Sequence, residues 1–196
     1  QIVDLRKQKP ELKVLLSIGG WGSGRFSEMA ANDEYRRAFA ADCDRVVKEF
    51  ALDGIDIDWE YPTSSMANIS SSPDDTENFT LLMQDIRAAI GNEKELTLAT
   101  VASARYIDFK AILPSVDFVN IMAYDMASAP KHHSALYPSG HSGDITSDGA
   151  VTAHLKAGVP PSKLVMGMPF YGRGGDGYPS FQDYNKVGNT DTQYTE

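Results

Sequence analysis

Short apolar runs alternate along the chain with longer segments whose apolar residues recur every three or four positions. Runs of the first kind are typical of buried strands, and segments of the second kind are typical of amphipathic helices. The pattern predicts five strands, over residues 13–18, 53–60, 96–101, 116–122 and 163–168. Because strands that alternate with helices form parallel sheets with crossover connections, an α/β fold is expected.

The segments between these strands predict helices and two long loops. Asn32 or Asp33 can N-cap the first helix with its side chain, and Gly91 stops the second. Polar segments at 61–72 and 125–148 follow the carboxyl ends of strands, where α/β barrels place their active sites. The predicted helices cover residues 34–50, the stretch from about Ser72-Pro73 to Gly91, a short segment ending at Pro114, and residues 149–157.

Residues 53–60 alternate acids with large apolar residues and read Asp-Gly-Ile-Asp-Ile-Asp-Trp-Glu. A strand sends successive side chains to opposite faces, so Asp56, Asp58 and Glu60 share one face and the Ile and Trp side chains share the other. A helix would scatter the same residues around its circumference, and Ile and Trp favour strands. This segment is therefore predicted to display three carboxyl groups in one row.

A row of carboxyl groups has chemical consequences. Closely spaced carboxylates oppose one another's ionisation, so at least one is expected to keep its proton near neutral pH, as a general acid must. A solvated edge strand also carries alternating acids, but here the second face is apolar and Tyr61-Pro62 ends the strand abruptly. A calcium loop supplies carboxylate oxygens, but it needs Gly at its sharp turn and few bulky residues between ligands.

Composition and charge limit the classes of partner. The 196 residues are 42% hydrophobic, which suffices for one substantial core, and no linker or low-complexity run divides them. A formal net charge of -9 argues against binding to nucleic acid or to an anionic membrane surface, since both need clustered Lys and Arg. No stretch is apolar enough to span a bilayer, and the first residues lack signal-peptide character. A neutral partner such as a sugar is compatible with this composition.

Cysteine and histidine give no sign of a metal or cofactor site. Cys43 lies on the apolar face of the predicted 34–50 helix, so a buried thiol is expected rather than a nucleophile. The histidines lack a zinc-ligand spacing and are interpreted as loop or surface groups: His132, His133, His141 and His154.

Three further segments surround the acidic strand in a characteristic order. They are residues 17–21, Ser-Ile-Gly-Gly-Trp, residues 122–125, Met-Ala-Tyr-Asp, and residues 167–173, Gly-Met-Pro-Phe-Tyr-Gly-Arg. Together with residues 53–62 they resemble the motifs of glycoside hydrolase family 18, the chitinases and their relatives. Four motifs in the same order, spread over most of the chain, make the resemblance specific.

The resemblance implies a (β/α)8 barrel, of which this chain holds about strands three to seven. We therefore expect residues 1–196 to be a single catalytic domain fragment, truncated at both ends. Residues 1–9 are then the helix before the third strand, and residues 181–196 carry no recognisable element. A barrel that lacks strands has open edges and uncovered apolar surface.

The resemblance also implies a reaction, the retaining hydrolysis of β-1,4-linked N-acetylglucosamine polymers in which the substrate's own acetamido group is the nucleophile. In this mechanism Glu60 is the general acid and base. Asp58 accepts the acetamide N–H and offsets the developing positive charge, while Asp56 shares a proton with Asp58 and tunes it. Tyr124 donates to the acetamide carbonyl and holds it for attack.

Residues in the other motifs are candidates for binding the sugar. Ser17 has the strand parity to hydrogen-bond Asp56. Trp21 either stacks on a sugar face or supports its strand, since an amphipathic ring suits both. Asp125 bonds a sugar hydroxyl or contacts the neighbourhood of Glu60. The predicted substrate-binding residues are Trp21, Ser17, Met122, Asp125, Tyr171 and Arg173.

Other functions remain open at this point. An endo-β-N-acetylglucosaminidase acting on N-glycan cores belongs to the same family, although Tyr61-Pro62 and Tyr171-Gly172-Arg173 favour chitin. A chitin-binding lectin without catalysis is disfavoured because Glu60 is intact, and an inert truncated chain is the third alternative. The resemblance implies an extracellular, monomeric enzyme that needs no cofactor, binds chitin or chito-oligosaccharides, and has no nucleic-acid or membrane partner.

Overall fold

The computed structural model describes residues 2–173 and contains five strands within that range. The strands are β1 (Leu15–Gly19), β2 (Gly54–Asp58), β3 (Glu95–Val101), β4 (Phe118–Met122) and β5 (Leu164–Met166). The α-helices are α1 (Phe26–Ala31), α2 (Asp33–Glu49), α3 (Asp75–Ile90), α4 (Phe109–Ile112) and α5 (Ser147–Lys156), and two 3-10 helices cover Ile2–Lys7 and Pro161–Lys163.

The strands form a single parallel sheet in the order β1-β2-β3-β4-β5. Each strand therefore pairs with the next one along the chain, and helical segments lie in the connections. The predicted α/β class and all five strands are confirmed. In the register of this sheet, Ser17 lies beside Asp56, and Asp56 lies beside Thr97.

Helix boundaries show where local sequence and tertiary structure disagree. Asn32 N-caps α2 by accepting the backbone N–H of Tyr35, as predicted. Helix α3 begins at Asp75 rather than near Ser72, because the Asp75 carboxylate accepts the backbone N–H groups of Ser72 and Thr63 at 2.7 and 3.1 Å and closes a turn there. The short helix α1 was not predicted. The helix expected at the start of the chain is a 3-10 helix in its described part.

The core lies between the sheet and its helices. Ile55, Ile57 and Trp59 are buried on the helix-facing side of β2, as the alternation predicts. The Trp59 ring stacks on Phe26 at a centroid distance of 5.4 Å and meets Phe79 edge-on at 5.5 Å. This packing fixes which face of β2 points away from the helices, because a slip of one residue would place acids in the apolar layer.

Two side chains of the helices test the predictions for Cys and His. Cys43 is buried in α2, which confirms the expected buried thiol, and burial raises the pKa of that thiol to about 12. The interpretation of His154 as a loop or surface group is wrong. Its ring is fully buried in α5, donates from Nδ1 to the Ala150 carbonyl at 2.7 Å, and accepts from the Thr100 hydroxyl, 3.3 Å from Nε2.

The two edge strands of the described sheet expose apolar side chains. Leu16 on β1 is 40% exposed, and Val165 on β5 is 44% exposed. Among the described helices, none combines the length and the hydrophobicity that crossing a bilayer requires. The prediction that residues 181–196 lack a recognisable element falls outside the described residues.

Candidate active site

The three predicted acids gather at the carboxyl end of β2. Asp56, Asp58 and Glu60 are partly buried and share the strand face opposite the apolar core. Gly19, at the end of β1, makes room for this arrangement. It has a φ of 128°, and a Cβ added there would lie 2.0 Å from the Asp58 carbonyl oxygen. Only glycine therefore lets β1 pair this closely beside the acids.

Asp56 is the deepest of the three acids and the most fully hydrogen-bonded. Its Oδ2 accepts the Ser17 hydroxyl at 2.6 Å, which is the hydrogen bond predicted from strand parity. Its Oδ1 accepts the Thr97 hydroxyl at 2.6 Å and the Asn120 amide at 3.2 Å. Donors from three neighbouring strands thus hold the Asp56 carboxylate in one orientation.

Asp58 has the opposite environment. Its Oδ1 is buried and has no hydrogen-bond partner among the described residues. Burial, followed by the negative charges of Glu60 and Asp56, raises the pKa of Asp58 to about 7. This agrees with the expectation that one member of the row keeps a proton near neutral pH. A buried polar atom without a partner is an acceptor that a ligand can use.

Glu60 lies two residues beyond the carboxyl end of β2. Burial raises the pKa of the Glu60 carboxyl, a side-chain hydrogen bond from Tyr61 acts in the opposite direction, and the negative charge of Asp125 raises it further. A carboxyl group whose pKa is raised in this way suits general acid catalysis, since it holds its proton at higher pH. No contact between Tyr61 and Glu60 was predicted.

Tyr124 and Met122 lie on the same face of the sheet, next to the acids. The pKa of the half-buried Tyr124 hydroxyl is raised first by burial and then by the charges of Asp58 and Glu60, so the phenol is a donor at neutral pH. Gly167 makes room for its ring, because a Cβ at that position would lie 2.8 Å from a Tyr124 ring carbon. Met122 is partly buried at the end of β4.

Asp125 connects the site to the segment after β5. Its Oδ1 lies 3.3 Å from Arg173 Nη1, and Tyr171 forms a side-chain hydrogen bond with it. Asp125 was predicted to bond a sugar or to contact the neighbourhood of Glu60, and its effect on the Glu60 pKa fits the second alternative. The His133 ring also packs here, stacked on Tyr171 with a centroid distance of 5.3 Å. The sequence interpretation gave His133 no role.

Aromatic side chains form a row that starts beyond β1. Trp21 is 61% exposed and meets Tyr61 edge-on at 6.5 Å, and Tyr61 stacks on Tyr106 at 5.4 Å. A ring this exposed is available to a ligand, which favours the first of the two alternatives for Trp21. No group of His, Cys, Asp and Glu that could hold a metal ion occurs within residues 2–173.

A comparison with protein families decides what this arrangement belongs to. The model of the glycosyl hydrolases family 18 matches residues 1–195. The chain belongs to this family. The family 18 resemblance of the four motifs is thereby confirmed.

Relatives within family 18 extend the comparison. Chitinase A1 of Niallia circulans is 38% identical over 206 residues, covering 90% of this chain and 29% of the relative. Chitotriosidase-1 of Mus musculus is 36% identical, covering 88% of this chain and 41% of the relative. The chain thus spans less than half the length of these two curated relatives.

Solved structures of the family confirm the fold. The chitinase domain of the spore coat protein CotE from Clostridium difficile superimposes with a TM-score of 0.92 at 38% identity, covering 98% of this chain and 59% of that domain. A family 18 N-acetylglucosaminidase from Paenibacillus barengoltzii gives a TM-score of 0.86 at 36% identity, covering 94% of this chain and 64% of that structure. The five parallel strands are therefore part of a (β/α)8 barrel.

Proposed function

We propose that this family 18 chain hydrolyses β-1,4-linked N-acetylglucosamine in chitin or chito-oligosaccharides, with retention and with the substrate's acetamide as nucleophile. The single observation that carries the proposal is Asp58, a carboxyl group with a pKa of about 7 and a buried oxygen without a partner, between Asp56 and Glu60. Such a group suits a ligand that brings both an N–H donor and a developing positive charge.

In the first step, Glu60 gives its proton to the glycosidic oxygen while the acetamide carbonyl oxygen attacks the anomeric carbon. The bond from that carbon to the leaving oxygen breaks, the leaving alcohol departs, and a cyclic oxazolinium ion forms on the sugar. The raised pKa of Glu60 supports this role because the proton is retained until it is needed.

In the second step, the Glu60 carboxylate accepts a proton from a water molecule that attacks the anomeric carbon from the side the leaving group vacated. The bond to the acetamide oxygen breaks, the acetamide is restored, and Glu60 is protonated again. Two inversions give net retention at the anomeric carbon.

Asp58 acts throughout by accepting the acetamide N–H and by offsetting the positive charge of the oxazolinium ion. Three donors hold the Asp56 carboxylate in place, and its negative charge raises the pKa of Asp58. The Tyr124 hydroxyl donates to the acetamide carbonyl and orients it for attack. An exposed Trp21 offers one face to a sugar ring.

The proposed sugar site also includes Tyr171, Arg173, Asp125, Ser17 and Met122. Tyr171 and Arg173 converge on Asp125, and this cluster lines the proposed sugar subsite. Ser17 contributes through Asp56 rather than by direct contact. We further propose an extracellular monomer, by analogy with the family, since its polymeric substrate lies outside cells.

The decisive experiment compares the wild-type protein with Glu60→Gln on fluorogenic chito-oligosaccharides. Gln keeps the shape but has no acidic proton to transfer, so turnover should fall by about 10²- to 10⁴-fold, while oligosaccharide binding measured by calorimetry persists. Glu77→Gln is the matched control, because Glu77 is an exposed acid in the first turn of α3, away from the site, and its variant should retain full turnover. Unchanged turnover in Glu60→Gln contradicts the assignment.

The same variants on a second substrate test the alternative within the family. A glycoprotein carrying N-glycans replaces the chito-oligosaccharide, and release of the glycan is followed by mass spectrometry. Cleavage of the glycoprotein alone would make the protein an endo-β-N-acetylglucosaminidase. Binding of chitin by the wild type without any cleavage would make it a lectin.

A further inference from the structure

We propose that His133 is a positioning residue that fixes Asp125 and Tyr171 at the rim of the sugar site. The inference rests on the proposed function for its kinetic consequence, although its structural basis is independent of any substrate. His133 comes from the long segment between β4 and α5, which the sequence marks only as a polar loop.

The backbone first anchors His133 beside the end of β4. Its carbonyl oxygen accepts the N–H of Met126 at 2.9 Å, and the hydroxyl of the next residue, Ser134, donates to the Ala123 carbonyl at 2.9 Å. The segment therefore folds back on the strand end and returns His133 to within reach of Asp125.

The ring of His133 then contacts two elements at once. Its Nδ1 accepts the backbone N–H of Asp125 at 3.1 Å and lies 3.4 Å from the Asp125 Oδ1. Its face stacks on Tyr171 at an interplanar angle of 27°. The side chain is only 13% exposed, so this placement excludes water from most of the ring. An Nδ1 that accepts a hydrogen bond carries no proton, which requires the neutral tautomer with its proton on Nε2.

Asp125 needs this support because of its backbone conformation. Its φ of 56° lies in the left-handed region, which costs free energy for a residue other than glycine, although less for Asp than for most. The imidazole supplies an acceptor for the Asp125 N–H, while Arg173 and Tyr171 hold its carboxylate. The direction of the Asp125 carboxylate is thus set jointly by β4, by the returning segment and by the residues after β5.

The consequence for chemistry passes through two residues. Asp125 is the charge that raises the pKa of Glu60 in addition to burial, so its position affects when Glu60 carries a proton. Tyr171 also lies edge-on to Tyr124 at 6.3 Å, so a displaced Tyr171 disturbs the packing of the residue proposed to hold the acetamide. The charged groups that act on the imidazole are Asp125 and Arg173, and the ring also hydrogen-bonds the Tyr171 backbone.

Three variants separate this role from general stability. His133→Ala removes both contacts, and His133→Asn restores only an acceptor for the Asp125 N–H, because the Asn Oδ1 reaches about where Nδ1 does. His141→Ala is the control, since His141 is exposed in the same segment and stacks on His132 instead.

We expect kcat/KM to fall about tenfold in His133→Ala, mainly through KM, with the basic limb of its pH profile moved to lower pH. His133→Asn should recover the pH profile but not the full KM, and His141→Ala should match the wild type. Equal kinetics of His133→Ala and His141→Ala overturn the proposal. His133→Asn provides a second test if His133→Ala does not fold. In that case a wild-type pH profile, a wild-type KM and a wild-type chemical shift of the Asp125 amide in His133→Asn would overturn the proposal.

A measurement without substrate distinguishes failure of this proposal from failure of the proposed function. Nitrogen-15 NMR of the histidine rings should show an unprotonated Nδ1 at His133 at neutral pH, and the Asp125 amide should shift in His133→Ala but not in His141→Ala. A neutral His133 ring that carries its proton on Nδ1 would contradict the positioning role. A wild-type protein that shows the expected spectra but cleaves no sugar polymer contradicts the proposed function alone.

Discussion

Carboxyl groups lie at both rims of the parallel sheet, but their environments differ. At the amino-terminal rim, Asp53 and Asp117 each accept a guanidinium and a backbone N–H. Asp117 Oδ2 lies 2.5 Å from Arg87 Nη2 and 2.7 Å from the Leu96 nitrogen. Asp53 Oδ2 lies 2.5 Å from Arg6 Nη2 and 2.6 Å from the Val14 nitrogen.

At the carboxyl-terminal rim, Asp58 and Glu60 form no ion pair with Arg or Lys anywhere in the part of the chain that the structure describes. Their pKa values are raised instead, with burial as the largest cause. A partly buried acid thus stabilises this fold where a cation and an N–H satisfy it, and has a raised pKa where no cation does.

After Glu60→Gln, the largest effect expected at the carboxyl-terminal rim is in Asp58→Asn. Loss of a charge that offsets the oxazolinium ion should lower turnover by about 10²- to 10³-fold. The same change should make the protein more stable at pH 8, by roughly 1–2 kcal/mol after allowance for solvent screening, because an unfavourable buried charge is removed.

The pH dependence of this gain has a definite sign. The pKa of Asp58 is about 7 in the folded protein and about 4 for an ordinary carboxyl group, so the folded form binds more protons between these values. Wild-type stability should therefore fall as pH rises from about 4 to about 7, and that fall should be smaller in Asp58→Asn. Urea titrations at pH 5 and pH 8 measure it, and an equal fall in both proteins contradicts the raised pKa.

The next effect is at the structural rim, in Asp117→Ala. This variant leaves the Arg87 guanidinium and the buried Leu96 N–H without their shared acceptor, so the free energy of unfolding should fall by about 2–3 kcal/mol. At temperatures where the variant is folded, kcat should be unchanged. Asp42→Ala, which breaks the exposed pair with Arg45, serves as control and should cost less than about 0.5 kcal/mol. Lost turnover without lost stability in Asp117→Ala would contradict a purely structural role of Asp117.

The smallest expected effect is in Asp125→Asn. Removing this charge lowers the pKa of Glu60, so the basic limb of the kcat/KM profile should move to lower pH by less than about one unit. Because Asp125 is exposed, the shift should shrink at high ionic strength. A profile that is unchanged at low salt would show that Asp125 does not act on Glu60 through its charge.

The alternation in β2 was enough to predict the face shared by Asp56, Asp58 and Glu60. Strand parity also predicted the hydrogen bond from Ser17 to Asp56, because the two strands are neighbours in a parallel sheet. Such patterns are local, since they depend only on how one strand points its side chains. The family motifs then assigned chemical roles that spacing alone does not give.

Thr97 and Asn120 were missing from the predicted site for a different reason. Both hydrogen-bond Asp56, but they come from β3 and β4, and the register that pairs Thr97 with Asp56 and Asn120 with Ala99 depends on how the strands assemble in three dimensions. His133 depends on the path of an irregular segment, which no periodicity encodes. Contacts between elements were therefore less predictable than the elements themselves.

The error at His154 was avoidable. His154 follows Ala150 by four residues, so the two share one face of α5, and both are fully buried. That helical spacing indicates a buried histidine whose polar nitrogens need partners, which Ala150 and Thr100 provide.

The stacking of Trp59 between the helices has a consequence for redesign. Since Ile55, Ile57 and Trp59 determine how β2 packs, while the proposed catalytic residues alternate with them, the two sets can be altered separately. Exchanging a single carboxyl for an amide on the open face should therefore leave the packing of the interior unchanged. Because the side chains of β2 alternate between two faces, single residues on one face can be changed without altering the other.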